Sequence, residues 1–94
     1  MESKMKKQQK PEWFKGDIYT EGAEVRNPFS GETYELNGLE LSMYDFIMGA
    51  QMIFGTYQET QPNKPISKKL IKDFEKGLTW FRNNNPEAYY VLLD

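Results

Sequence analysis

The sequence contains neither cysteine nor histidine. The first absence excludes disulfides, thiol nucleophiles and thiolate metal sites. The second removes a common zinc ligand and the side chain that most often serves as a general base near neutral pH. Long apolar runs are also missing. No stretch reaches the roughly 18 residues that span a bilayer, and the N-terminus lacks the apolar centre of a signal peptide. These absences lead to the expectation of a cytoplasmic chain with no metal site, no cofactor and no membrane partner.

With 94 residues, 15% of them aromatic and 28% charged, the chain has the make-up of one soluble globular domain near the lower end of self-sufficient size. Its formal net charge of −2 conceals a segregation along the chain. Residues 1–10 carry four lysines against Glu2, or +3. Residues 11–60 carry nine acids against Lys15 and Arg26, or −7, and residues 61–94 carry six basic residues against four acids, or +2. The acidic and second basic segments are expected to face each other in the fold.

Residues 1–10, MESKMKKQQK, read as a mobile basic arm, and residues 11–94 as a single domain. Trp13 and Phe14 then anchor the chain entry onto the core. From Asp17 to Leu36 the pattern alternates with period two around NPFSG. In that turn Pro28 presets the bend and Gly31 supplies a left-handed position. The reading is an antiparallel β-hairpin with Val25, Tyr34 and Leu36 facing inward and a bulge or bend at Gly22.

A long helix is expected from Asn37, with Asn37 and Glu40 forming a capping box, to about Tyr57, ahead of Pro62 and Pro65. A second helix begins near Ser67 and runs to about Arg82. Asn85 and Pro86 then open a short C-terminal element, either helix or strand because Tyr89 to Leu92 favours β structure. The predicted class is α+β: a hairpin packed on a long central helix, a second amphipathic helix and a short C-terminal element.

Residues placed at about 100° intervals divide the first helix into faces. Leu39, Met43, Phe46, Ile47, Ala50, Ile53, Phe54 and Tyr57 form a core face. Leu41, Met48 and Met52 form a second, narrower apolar stripe opposite it, with Asp45 and Gly49 beside it. Either the hairpin and the other helices cover both faces, or the stripe is open to a partner protein or a second copy of the chain. Methionine suits the latter use because its unbranched thioether repacks against varied surfaces, and Gly49 permits close backbone approach. On the second helix, Leu70, Ile71, Phe74, Leu78 and Phe81 share one face. Trp80 lies off that face beside Lys69, Asp73 and Lys76, as a partner anchor or as a rim residue in a cation–π contact with Lys76.

Catalysis would have to rely on carboxylates, lysines and tyrosines. Asp45, among aromatic and methionine neighbours, is the best single acid, yet no second carboxylate stands one turn away. Its expected partner is Ser42 or a basic group across an interface. The phosphate-loop, EF-hand and zinc-protease signatures are absent, so no catalytic residue is assigned. Lys68, Lys69, Lys72 and Lys76 on the second helix offer an alternative, nucleic-acid contact, opposed by an acidic hairpin and a sequence pI near 5.2.

The segment NPFSGETYELNGLELSMYDFIMGAQMIF, residues 27–54, resembles segments of small uncharacterised proteins of marine tailed bacteriophages, cyanophages among them. The resemblance implies a chain that acts by binding, to host machinery in the cytoplasm or as a structural component within the virion. The sequence thus leads to a non-enzymatic protein-interaction module, self-association included. Its candidate binding residues are Leu41, Asp45, Met48, Gly49, Met52 and Trp80.

Overall fold

A computed structural model describes residues 8–93, so residues 1–7 of the expected basic arm lie outside the described residues. The elements are β1 (Ala23–Arg26), β2 (Thr33–Leu36), α1 (Gly38–Thr60), α2 (Lys68–Asn84) and α3 (Pro86–Leu92). This is the expected α+β arrangement, and the C-terminal element is a helix. Asn85 caps α3, accepting from the Ala88 N–H at 3.2 Å, and Pro86 occupies the first turn, where its missing N–H costs nothing.

β1 and β2 pair antiparallel, with Ala23 opposite Leu36, Glu24 opposite Glu35, Val25 opposite Tyr34 and Arg26 opposite Thr33. The inward face carries Leu36, buried, with Val25 and Tyr34 half-buried against the core. The turn is built around Asn27. Its Oδ1 accepts from the N–H groups of Phe29 (2.8 Å) and Ser30 (3.3 Å), its carbonyl accepts from Gly31, and Gly31 adopts the expected left-handed φ of 82°.

The alternating pattern before Gly22 does not continue as strand. The Tyr19 N–H donates to Ser42 Oγ at 2.8 Å, which carries residues 17–22 across the start of α1. Two glycines permit that crossing. A Cβ on Gly22 would lie 1.7 Å from the Leu36 carbonyl oxygen, and one on Gly38 would lie 2.1 Å from that of Tyr19.

α1 opens with the expected capping box: Asn37 Oδ1 accepts from the Glu40 N–H at 2.8 Å, and Glu40 Oε1 accepts from the Asn37 N–H at 3.0 Å. Glu40 Oε2 takes two further donors, Gln8 Nε2 at 2.7 Å and Asn85 Nδ2 at 2.9 Å. One buried carboxylate therefore joins the N-terminal segment, the start of α1 and the α2–α3 junction. Tyr34 extends this network by donating to Glu87 at 3.1 Å. Burial first, then that hydrogen bond, raises the Tyr34 phenol above its ordinary 10.0.

The core unites Phe14, Leu36, Met43, Tyr44, Ile47, Phe81, Ala88 and Leu92. Fully burying side chains such as Leu36 and Phe81 stabilises the fold by about 1.5–3 kcal/mol each. α1 and α2 cross closely at Gly77, where an added Cβ would stand 3.3 Å from Ile47 and 3.4 Å from the Met43 sulfur. Phe54 of α1 meets Phe74 of α2 edge to face, with centroids 5.2 Å apart.

Burial along α1 changes abruptly at its midpoint. The buried residues Glu40, Ser42, Met43, Tyr44, Ile47 and Ala50 all precede Gln51, and no position from Gln51 to Thr60 is buried. The helix wheel therefore describes α1 incompletely. Glu40 and Tyr44, which fall outside both apolar faces, are buried, whereas Ile53, on the core face of the wheel, is exposed.

Candidate protein-interaction surface

The structure divides the Leu41/Met48/Met52 stripe. Leu41 and Met48 are half-buried and pack against the core, so they form its outer layer rather than an open surface. Met52 is 72% exposed. It lies beyond the midpoint at which the chain stops enclosing α1, and there it joins a different neighbour, Ile53, which is 43% exposed. Gly49, Met52, Ile53, Thr56 and Tyr57 line an open groove of about 380 Å³ with no charged residue among them. A Cβ on Gly49 would meet nothing within 4 Å, so this glycine serves no packing need within the described chain.

Asp45 does not bond to Ser42. Tyr19 intervenes between the two: its hydroxyl donates to Asp45 Oδ2 at 2.6 Å, while Ser42 Oγ accepts the Tyr19 N–H and donates to the Gly38 carbonyl. The hydrogen bond to Asp45, followed by that carboxylate's negative charge, raises the Tyr19 phenol above 10.0. Asp45 thus fastens the 17–22 segment to α1 and is not among the residues that line the groove.

A second surface surrounds Trp80. Trp13, Lys72, Glu75, Lys76, Thr79 and Trp80 line a groove of about 430 Å³. Both tryptophans are held in place: Trp13 packs on Phe14 and Phe46, while Trp80 meets Phe81 edge to face and donates Nε1–H to the Gln9 carbonyl at 3.2 Å. The cation–π contact described is Arg82 over Tyr89, not Lys76 on Trp80. Lys68, Lys69, Lys72 and Lys76 gather within about 100° of the α2 circumference. Lys69 pairs with Asp73 at 2.7 Å, and Lys72 and Lys76 line the tryptophan groove.

Periodicity does not register the exposure of Ile53, of Ile71 on the apolar face of α2 (38% exposed), or of Phe29. Ile53 was assigned to the core because a helix wheel does not register where the covering chain ends. Phe29, 97% exposed, sits at the hairpin tip outside any alternating segment. An aromatic residue within a turn was itself the available signal. Among the described residues no group of three His, Cys, Asp or Glu side chains is arranged to hold a metal ion, and no helix is long and apolar enough to cross a membrane. No family model matches this chain, and no curated protein or solved structure is significantly similar to it.

Proposed function

We propose that this chain is a non-enzymatic protein-interaction module that binds a partner protein through the outer half of α1. The observation that carries the reading is the joint exposure of Met52 and Ile53 beside Gly49, in a groove without charge. Burying side chains of this size contributes about 1.5–3 kcal/mol each. A glycine beside them lets a partner backbone approach closely. The surface suits an apolar helix laid along α1 by anchors at helical spacing. The resemblance to small phage proteins adds a setting to the proposal, namely a partner in the host cytoplasm.

Affinity capture from a lysate of the native host, with wild type beside Met52→Asp, tests the reading. The expected result is a partner retained by wild type and lost by the variant, with equal melting temperatures. Retention of the same proteins by both would refute the assignment of this face.

A further inference from the structure

We propose that the Pro28–Phe29 hairpin tip of one copy docks into the Trp13/Trp80 groove of a second copy, joining chains head to tail. This goes beyond the α1 face and does not depend on it. Phe29 is 97% exposed on a turn held at several points: two N–H groups bond to Asn27 Oδ1, Gly31 bonds to the Asn27 carbonyl, and Asn27 Nδ2 donates to the Val91 carbonyl of α3 at 2.9 Å. A rigidly presented aromatic ring loses little entropy when it is captured, which is the condition under which a single anchor binds well.

Charge selects the receiving surface. Residues 21–35 carry Glu21, Glu24, Glu32 and Glu35 against Arg26, four acids and one base, or −3. Residues 68–76 carry Lys68, Lys69, Lys72 and Lys76 against Asp73 and Glu75, four bases and two acids, or +2. The hairpin sets Glu24 directly opposite Glu35, a like-charge pair that weakens a two-stranded ladder until a cation approaches. Lys72 and Lys76 are the cations that line the tryptophan groove, whereas the α1 groove has none to offer. The exposure of Phe29 shows that the tip does not fold back into the groove of its own chain. Tip and groove are different patches, so the contact is heterologous, and each added copy leaves one tip and one groove open.

Sedimentation equilibrium up to about 1 mM protein, the range in which weak contacts populate, reads the outcome. Wild type is expected to show an average mass that rises with concentration past the dimer and falls back at about 1 M salt, where charges are screened within about 3 Å. Phe29→Ser and the double variant Lys72→Glu/Lys76→Glu, all at exposed positions, are each expected to remain monomeric. Mixed in equal amounts they should form a 1:1 dimer and nothing larger, because one intact tip then meets one intact groove. Wild type that stays monomeric throughout overturns the proposal. So does a mixture of folded variants that forms no dimer, or association that Met52→Asp abolishes and Phe29→Ser leaves intact.

Discussion

Replacing Glu40 tests how far one buried carboxylate holds the fold together. Glu40 is 2% exposed, and its two oxygens accept from the Asn37 N–H, Gln8 Nε2 and Asn85 Nδ2. In Glu40→Ala the Asn37 N–H, at an exposed position, can turn to water, at a cost of about 1 kcal/mol for the lost cap. Asn85 is half-buried and loses a charge-assisted bond worth about 1.5–3 kcal/mol, while Gln8 loses a bond that solvent partly replaces. Relief of the carboxylate's desolvation offsets part of this. The expected net loss is about 2–4 kcal/mol, a large share of the roughly 5–14 kcal/mol available to a chain of this size. Thermal melting should therefore fall by roughly 10–30 °C.

Glu40→Gln separates shape from chemistry. Its amide nitrogen must face an N–H donor whichever way the group turns, and Asn85 cannot flip without losing the cap that its Oδ1 provides to α3. A loss of about 1–3 kcal/mol is expected even though the volume is unchanged. A melting temperature for Glu40→Gln equal to that of wild type would refute the reasoning, because acceptance by both oxygens would then contribute nothing.

Met48→Asp places a charge in the outer layer of the core and should lower stability by about 2–4 kcal/mol in urea titration, whereas Met52→Asp should stay within about 0.5 kcal/mol of wild type. Gly49→Ala and Gly55→Ala meet nothing within 4 Å and should each stabilise α1 by about 0.5–1 kcal/mol. Only Gly49→Ala should also weaken partner binding, and equal binding by both variants would remove Gly49 from the interface. The Tyr34 phenol is raised above 10.0, so the folded chain keeps a proton that the unfolded chain loses. Its contribution is complete below about pH 10 and is lost as pH rises through the folded value. Denaturant titrations across that range should show a shallower alkaline decline for Tyr34→Phe than for wild type.

What the sequence made legible was local. The Asn37/Glu40 box, the start of the second helix near Ser67, the Asn85–Pro86 start and the left-handed Gly31 each depend on residues within four positions, and all stand as expected. The two-sided apolar character of α1 was also legible, but its resolution was not. Enclosure of Glu40 depends on Gln8 and Asn85, which lie 32 and 45 residues away, and no periodicity carries that information. The same limit explains the extension of strand pattern into residues 17–22. Alternation there was genuine, but Ser42 and Asp45 bind Tyr19 more than 20 residues ahead and draw the segment off the ladder.

The division of α1 has a consequence for how binding and stability relate. Its first half is fixed by the cap, the Glu40 network and the Gly77 crossing, and its second half by Phe54 against Phe74. A helix held at both ends of its length does not need its outer face for stability, because nucleation has already been met by tertiary contacts. Met52 and Gly49 are therefore free to change without a folding penalty. A polar residue at Met52 would cost the fold little, so variants there separate the proposed binding role from stability.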